Sequence, residues 1–533
     1  MLVLSMLVLL AVLWLYFRQV YSRFSKYGVK HFTPVPLLGN MARITLRVEH
    51  VALHNERIYN SFPGERFVGS YEFLTPTIYI RDLELIKKIT VKHYEHFVDH
   101  RAIVDEDVDP FLGRNLFAMK GHKWRDMRLT LSPAFTSSKI RLMVPFMVEV
   151  GDQMIESLKK KILCIESGSI EVESKDLMMR YANDVIASCA FGLKVDSHTD
   201  EDNLFYEMGR AASVFGFIQH LKFIGFSSCP NLMKKFKLTI FTEEVTRFFK
   251  DLVLNTMNER DARQIVRNDM IHLLMEAKKG KLSHDTKVAN DGAGFATAEE
   301  YNVGKRQNDR VWSTDDLIAQ AVLFFIAGFE TTSVAMTFLL YELALNPEIQ
   351  DRLAQEIREN HKANEGKFDY SSIQQLNYLD MVVSESLRLW PPDVGLDRLC
   401  VKDFNLGKPS SDANRDYIIR KDEGIVIPMG AIQRDPEYFP DPTKFDPERF
   451  SDANKHNIKP FTYMPFGLGP RNCTASRFAL CEMKIMVYQL LLHIELSPSE
   501  KTCIPIKLTT DTFNLRIKGG HWLRFKLRKG TLD

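Results

Sequence analysis

Cys473 lies in a loop whose residue types suit a metal-bound thiolate. It closes the stretch Phe466-Gly-Leu-Gly-Pro-Arg-Asn-Cys473, whose glycines permit a bend at positive φ that other residues resist. Residues 475–491 follow with apolar side chains at the 3–4 spacing of a helix. Free N–H groups and the dipole at a helix N-terminus favour an anionic sulfur. The pattern therefore predicts a thiolate ligand, with Arg471 as the cation for an anionic group on the same bound molecule. The alternative is a free cysteine in a surface turn.

A second group of reactive side chains lies within a long apolar stretch, residues 317–345. Ala327 and Gly328 lack bulk, so a small ligand could lie against the backbone and the helical hydrogen-bond ladder could open locally. Glu330 and Thr331 follow, and a carboxylate beside a hydroxyl can relay protons into a dry pocket. The alternative is a threonine-rich helix turn with a solvated glutamate.

These two motifs resemble those of the cytochrome P-450 superfamily, the haem-thiolate monooxygenases. The residues that match its haem-binding loop are Phe466, Gly469, Arg471 and Cys473. Glu330 and Thr331 match its acid–alcohol pair, and Ala475 stands where the family usually has Gly. The resemblance extends from roughly residue 30 to the C-terminus. The exact residues of the motifs are similar to those of the insect microsomal branch concerned with xenobiotics.

The resemblance implies a role for each matched residue. Cys473 would be the proximal ligand of the iron in haem b, and Phe466 and Arg471 would contact the same cofactor. Glu330 and Thr331 would be catalytic, because they would supply protons while O2 is activated.

Further positions match weaker motifs of the same family. Trp124, Arg128 and Arg398 would contact the haem, where arginine suits a propionate because it donates two parallel hydrogen bonds. The alternative for Trp124 and Arg398 is a solvated helix face. Three charged residues would form a buried triad with a structural role: Glu385, Arg388 and Arg449.

Composition describes an ordinary globular protein and limits its partners. The chain has 533 residues, of which 45% are hydrophobic and 26% charged, with a formal net charge of +2. No basic tract suggests nucleic acid. The seven scattered cysteines form no C-x-x-C pair, which argues against a disulfide framework or structural zinc. With the family resemblance, we expect a mainly α fold: a large helical lobe, a smaller β-rich lobe and an N-terminal membrane-anchor helix.

The first 17 residues carry no charged side chain and predict the membrane anchor. Basic residues follow at Arg18, Arg23, Lys26 and Lys30, so the positive-inside rule places the rest of the chain in the cytosol, on the endoplasmic reticulum membrane. The alternative is a cleaved signal peptide, but the basic n-region and small-residue cleavage site are missing. We expect an anchor at 1–17, a basic and proline-containing linker at 18–39, and the haem-binding domain at 40–533.

Two segments in the middle of the chain have contrasting patterns. Residues 278–312 are polar, glycine-containing and aperiodic, and predict a mobile surface loop. A long buried helix should follow, capped by Ser313 and ended by Asn346-Pro347.

The resemblance implies a monooxygenase that hydroxylates or epoxidises a hydrophobic small molecule, such as an insecticide or plant toxin. Its partners would be O2, NADPH–cytochrome P-450 reductase as electron donor, and cytochrome b5 as a second candidate.

Candidates for docking an acidic reductase are Lys120, Lys123, Arg125 and Lys484. Segments expected to line the substrate pocket are Asp109–Met119, Phe215–Phe226, Phe324–Phe329, Asp393–Asp397 and Asp511–Leu515. Three alternatives remain: a haem-thiolate isomerase or dehydratase, an oxidase of an endogenous hormone or fatty acid, and a non-catalytic haem sensor.

Overall fold

The fold is described from a computed structural model. It describes residues 1–101, 104, 106–213, 216–228, 230–267, 269–279, 294–301, 303, 311–368 and 370–528.

Helices form most of the described structure. They are α1 (Leu2–Val20), α2 (Arg23–Tyr27), α3 (Ala42–Thr45), α4 (Val51–Ser61), α5 (Leu83–Lys87), α6 (Pro110–Gly113), α7 (Gly121–Leu131), α8 (Ser137–Leu163), α9 (Ser174–Ile186), α10 (Leu204–Ser213), α11 (Phe217–Ser228), α12 (Pro230–Lys235), α13 (Glu243–Arg263), α14 (Met270–Lys278), α15 (Thr314–Ala327), α16 (Ser333–Leu345), α17 (Pro347–Ala363), α18 (Tyr370–Gln374), α19 (Asn377–Leu389), α20 (Met429–Ile432) and α21 (Ser476–His493).

The strands are fewer and shorter. They are β1 (Phe67–Glu72), β2 (Thr75–Ile80), β3 (Ser169–Glu173), β4 (Leu396–Leu399), β5 (Phe404–Gly407), β6 (Tyr417–Ile419), β7 (Gly424–Ile427), β8 (Ile494–Pro498) and β9 (Trp522–Leu527). One sheet has the order β1-β2-β7-β4, in which β2 and β7 are parallel and the other pairs antiparallel. The strands β3-β9-β8 form a second sheet, and β5 pairs with β6.

The helical lobe is organised around α16 and α21, whose side chains are buried on nearly every face. α16 is buried from Ser333 to Ala344, and α21 from Leu480 to Leu491. Such all-round apolar helices belong in the centre of a large protein. They pack against α8, α9, α17 and α19, and this central position lets α21 hold the cysteine loop at its N-terminus.

One continuous helical stretch, Thr314–Leu345, contains the apolar run of the sequence. Ser313 caps it through a capping box with Asp316, as predicted, and it ends before Pro347. The hydrogen-bond register opens into a π-helical segment at Gly328–Thr332, where the sequence predicted a local opening.

Among the described residues, two helical stretches are long and apolar enough to cross a membrane. Thr314–Leu345 is mostly buried, so it is a core helix. α1 has no buried residue and extends the predicted 1–17 anchor to Val20. The exposed apolar surface of α1 fits a membrane anchor.

Part of the segment predicted as a linker, residues 18–39, is packed onto the β-rich lobe. Phe24 in α2 is fully buried, with its ring centroid 4.7 Å from that of Tyr71. Arg23 Nη2 donates to Glu423 Oε2 at 2.8 Å. The prediction of a separate linker missed this because a single buried aromatic residue leaves no periodic pattern.

This packing predicts different outcomes for two shortened chains. A chain starting at Ser22 keeps Phe24, whereas one starting at Gly28 loses it, with an expected loss of unfolding free energy of about 3–5 kcal/mol, as for Phe→Ala in a core. Thermal unfolding of both proteins is the measurement. Equal midpoints would show that α2 is no part of the folded core.

The stretch 278–312 is also more ordered than its sequence indicated. Residues 280–293, 302 and 304–310 lie outside the described residues. Gly294–Tyr301, however, packs against the helical lobe, and Ala296 is buried in the main core. The prediction of a mobile surface loop is therefore wrong for these eight residues.

Candidate active site

The cysteine loop runs from Phe466 to the start of α21. Gly469–Arg471 form a single 3-10 turn, and α21 begins three residues after Cys473, at Ser476. The Cys473 amide donates to the Phe466 carbonyl oxygen at 2.8 Å, which closes the loop.

Two glycines give this loop its shape. Gly467 and Gly469 have φ of 78° and 71°, as their sequence context predicted. A Cβ on Gly469 would lie 1.8 Å from the Thr90 carbonyl oxygen, whereas one on Gly467 would meet only ordinary contacts. Gly469 therefore allows the loop to pack directly on a neighbouring backbone.

The Cys473 thiol is enclosed by protein but keeps accessible surface, as expected for a side chain on a cavity wall. Burial raises its pKa, and the Ala475 backbone amide and Arg128 oppose that rise only in part. The protein alone thus favours the neutral thiol. A bound metal cation would supply the missing stabilisation of the thiolate, because metal binding deprotonates cysteine.

The π-helical segment offers a second accessible wall inside the core. Ala327 and Thr331 are exposed although the helix around them is mostly buried. They are four residues apart and lie on one helix face. Thr331 Oγ1 donates to the Ala327 carbonyl oxygen at 2.5 Å. The π-helical segment Gly328–Thr332 contacts α21, so both accessible walls belong to neighbouring elements.

Glu330 faces away from this wall and is held by two cations from distant parts of the chain. Its Oε1 lies 3.4 Å from Lys175 Nζ and 3.3 Å from Arg516 Nη2. Its Oε2 is buried and has no hydrogen-bond partner among the described residues. Lys175 also donates to Ser333 Oγ at 2.6 Å, and burial lowers its pKa to about 8.

A cleft of about 620 Å³ opens beside these cations. Lys175 and Arg516 line it together with Glu173 and His521, and Glu330 lies beyond them. Solvent in the cleft is thus separated from Glu330 by the two cations.

Arg471 is deeply buried beside the cysteine loop. It lies 3.4 Å from Asp99 Oδ1 and donates to the carbonyl oxygens of Met119 and Val98 at 2.6 and 2.5 Å. Its guanidinium lies over the Trp124 ring, 4.1 Å from the centroid. Burial lowers the pKa of Arg471 to about 9. The structure thus brings together Arg471 and Trp124, two of the predicted cofactor contacts.

Arg128 and Arg398 approach the same loop from α7 and β4. Arg128 donates to the carbonyl and side-chain oxygens of Asn472 at 2.6 and 2.8 Å. Arg398 donates to the Leu468 carbonyl oxygen at 3.1 Å. Burial lowers the pKa of both arginines, to about 10 for Arg128.

These residues fit an anionic porphyrin. Within the described part of the chain, Asp99 is the only carboxylate in ion-pair contact with the three arginines, Arg128, Arg398 and Arg471. Buried cations without anions are unfavourable. The Trp124 side chain is buried beneath the Arg471 guanidinium. Carboxylates of a bound cofactor would balance the arginines, and Cys473 would supply the metal ligand.

Glu385, Arg388 and Arg449 lie together in the core, as predicted. Arg388 Nε and Nη2 each donate to Glu385 at 2.7 Å, and both side chains are fully buried. Arg449 Nε lies 3.4 Å from Glu385 Oε1. Removing one partner of a buried pair that is joined by two hydrogen bonds strongly destabilises the folded protein.

Gln433 joins this triad to the cysteine loop, a role that the sequence did not indicate. Its Nε2 donates to the carbonyl oxygens of Leu387 and Arg388 at 3.0 Å, and its Oε1 accepts from the Met464 amide at 2.8 Å. In the family that the sequence resembles, histidine is commoner than glutamine at this position, and we expected little consequence of that difference. Lys175 and Arg516 were also missed, because both stand near polar residues that give no sign of burial: Lys175 lies between Ser174 and Asp176, and Arg516 lies two residues before Lys518.

The predicted basic docking residues do not share one environment. Lys120 is exposed, Arg125 is half-buried, and Lys123 pairs with Glu106 at 2.6 Å. Lys484 is wholly buried in α21 and pairs with Asp380 at 2.9 Å. The prediction for Lys484 is therefore wrong, because helix periodicity turns it into the core.

Aromatic side chains from three of the predicted pocket segments lie in two ring pairs, one of which includes Phe135, a residue outside those segments. The ring centroids of Phe135 and Phe324 lie 5.2 Å apart, and those of Phe223 and Phe513 5.1 Å apart. Phe215, at the start of another predicted segment, lies outside the described residues.

Comparison with known proteins gives the family of the chain. The family profile described as Cytochrome P450 matches residues 29–524. "Cytochrome P450 9e2" of Blattella germanica is 45% identical over 95% of this chain and 94% of its own length. "Probable cytochrome P450 9f2" of Drosophila melanogaster is 40% identical over 95% of both chains, and "Probable cytochrome P450 6a13" of the same species is 37% identical over 99% of both.

The chain belongs to the cytochrome P450 family. It is an oxidoreductase of the monooxygenase class, with a haem cofactor and with O2 and an organic substrate as reactants. The mainly α fold with small sheets and the N-terminal apolar helix confirm the predicted fold class.

The two loop glycines predict contrasting effects of alanine. Gly467→Ala strains a left-handed residue by about 1–2 kcal/mol but should keep the bound haem. Gly469→Ala adds the same strain and a collision with the Thr90 carbonyl oxygen, so most of the haem should be lost. The carbon monoxide difference spectrum per mole of protein measures this. Equal spectra for the two variants would contradict the close packing of Gly469.

The depressed pKa of Lys175 predicts a pH-dependent stability. Between about pH 8 and its ordinary value of 10.5, the folded protein has lost this proton while the unfolded chain still binds it. Stability from this group therefore rises with pH across that window. Lys175→Met should flatten the rise in the thermal midpoint, whereas Lys501→Met, at an exposed lysine paired with Glu171, should leave it unchanged. A wild-type slope in Lys175→Met would refute the assignment.

Proposed function

We propose that this protein inserts one oxygen atom of O2 into a hydrophobic small molecule by hydroxylation or epoxidation. The substrate would be a xenobiotic such as an insecticide or plant toxin. Electrons would come from NADPH through NADPH–cytochrome P-450 reductase, with cytochrome b5 as a second candidate donor. The observation that carries this proposal is the accessible Thr331 beside buried Glu330, in a helix segment that contacts the helix following Cys473.

The proposed cofactor is haem b, which when bound supplies the redox chemistry that activates O2. Cys473 would hold its iron, Phe466 would pack in the loop beside it, and the propionates would be bound by Trp124, Arg128, Arg398 and Arg471. The charge imbalance around the cysteine loop supports these assignments. The triad of Glu385, Arg388 and Arg449 is proposed to keep the loop in place.

Glu330 and Thr331 are proposed to move protons. Glu330 Oε2 is buried and has no protein partner among the described residues, so it is the oxygen through which the relay would pass a proton. Lys175 holds the other carboxylate oxygen and borders the solvent cleft, so it can pass protons inward. Thr331 then presents its hydroxyl on the accessible face of the helix.

Apolar surface supports a hydrophobic substrate. Phe135 and Phe324 are partly buried, and Phe324 is three residues before the accessible Ala327. Pockets with this composition bind apolar molecules and use few polar contacts.

The proposed location is the endoplasmic reticulum membrane, with the catalytic domain on the cytosolic face. Exposed α1 would be the anchor, and Arg18, Arg23, Lys26 and Lys30 would remain on the cytosolic side.

The proposal is tested with purified full-length protein, reductase and NADPH. A panel of hydrophobic compounds is first screened for a Soret shift, and each binder is then assayed for oxygenated product. We expect NADPH consumption to require reductase and substrate. Conversion of a peroxide without NADPH or O2 would instead support the isomerase or dehydratase, and binding without turnover would support a sensor.

Variants then separate the proton relay from cofactor binding. Glu330→Gln should keep the thiolate spectrum but release reduced oxygen as hydrogen peroxide, because the proton donor is lost, so product per NADPH should fall at least about tenfold, within the usual range for a general acid. Thr332→Val, a buried neighbour on the same segment, is the matched control. Cys473→Ser should abolish the thiolate spectrum itself, and an intact spectrum would overturn the proposal.

A further inference from the structure

The eight residues Gly294–Tyr301, here called the strap, lie against the cysteine loop. The Glu299 carbonyl oxygen accepts a hydrogen bond from Asn472 Nδ2, and Asn472 directly precedes Cys473. The Glu300 carboxylate lies 2.6 Å from Nη1 of Arg477, in the first turn of α21. The strap thus contacts a residue before Cys473 in the sequence, Asn472, and a residue after it, Arg477.

The other end of the strap is anchored in the helical lobe. The Phe295 amide donates to Asp380 Oδ2 at 2.9 Å. Its ring centroid lies 5.1 Å from that of Phe450 and 5.6 Å from that of Tyr463. Ala296 is 4% exposed. Polar contacts at one end, and at the other the ring contacts of the partly exposed Phe295 with the burial of Ala296, make this a defined docked state of the segment.

The charges of the strap and of the surface beneath it are opposite. The Arg477 side chain is 14% exposed and that of Glu300 53%, so the carboxylate covers the cation from outside. Arg128 of α7 adds positive charge where it donates to Asn472. An acidic partner would be attracted to these same cations.

An electron donor for a metal held by Cys473 must approach this surface. Asn472 and the first turn of α21 are the residues that flank the thiolate along the chain, so they provide short covalent paths to it. The strap lies on both. In this docked state a protein donor would meet the strap before it met Arg477.

We propose that the strap competes with the acidic electron donor for the surface around Arg477, so that it is an autoinhibitory segment displaced when the donor docks. This inference rests on the proposed function, because it takes the donor to be an acidic reductase. Strap and donor exclude each other, and release of the strap therefore strengthens donor binding.

The test measures binding of NADPH–cytochrome P-450 reductase to the full-length haem-loaded protein in lipid vesicles. Glu300→Gln removes the carboxylate that covers Arg477 and should lower the Kd for reductase by about 2- to 5-fold, the range of an exposed ion pair. Phe295→Ala removes the aromatic anchor and should lower it further, by about tenfold. High salt should shrink the effect of Glu300→Gln, which removes an ion pair, but not the effect of Phe295→Ala, which removes an apolar contact.

The matched control is Glu171→Gln, which removes a carboxylate paired with Lys501 at 2.7 Å on strand β3. It should leave the Kd unchanged. A carbon monoxide spectrum of every variant verifies that the cysteine loop is intact. Amide hydrogen exchange gives a second readout: reductase should accelerate exchange in residues 294–301 if it displaces the strap.

Each result decides the matter. Unchanged binding by both strap variants would overturn the proposal, because the strap would then not compete with reductase. Weaker binding by both, or slower exchange of residues 294–301 with reductase present, would also overturn it, because the strap would then be part of the docking surface. If wild type binds reductase and the variants bind no tighter, only the strap proposal fails. If neither the wild-type protein nor the strap variants bind reductase, the assignment of reductase as the electron donor fails together with the strap proposal.

Discussion

Burial of positive charge around one loop is the constraint on which the rest of this structure depends. Arg128, Arg398 and Arg471 come from three elements, and each donates to backbone oxygens or to the carboxylate of Asp99 near the loop that ends at Cys473. Guanidinium groups lose much of their hydration when buried, so they need anionic or carbonyl partners. The fold supplies the carbonyl oxygens and only one carboxylate contact among the described residues, which leaves room for the anionic cofactor of this family.

The same loop is tied to the centre of the helical lobe through polar groups that the chain places far apart. Gln433 bridges the end of α19 and the Met464 amide, and Arg388 binds both Glu385 and the Gln433 carbonyl oxygen. Every polar group in this connection is buried and satisfied by a partner with little freedom to move. Such networks hold a unique geometry better than apolar packing does, because each lost partner leaves an unsatisfied group.

Charged segments border the site on two sides. Lys175 and Arg516 separate Glu330 from a solvent cleft, and the strap covers Arg477 beside the cysteine loop. Under the two proposals, protons and electrons would therefore enter through different surfaces. The Glu300–Arg477 pair is partly exposed and can open at modest free energy, whereas the Lys175–Glu330 pair is buried and holds the carboxylate in place.

The sequence by itself determined the chemistry-bearing motifs and the local structure around them. Glycine at 467 and 469 dictates positive φ, Ser313 dictates the helix start, and the missing side-chain bulk at Gly328 indicated the opening of the helical ladder, because these are effects of the residues on their own backbone. Only the tertiary structure decided which distant cations meet Glu330, that Lys484 is buried, and that the strap is docked on Asn472. Those outcomes depend on contacts between segments more than 100 residues apart along the chain, and such contacts leave no periodic or local signal in a single sequence.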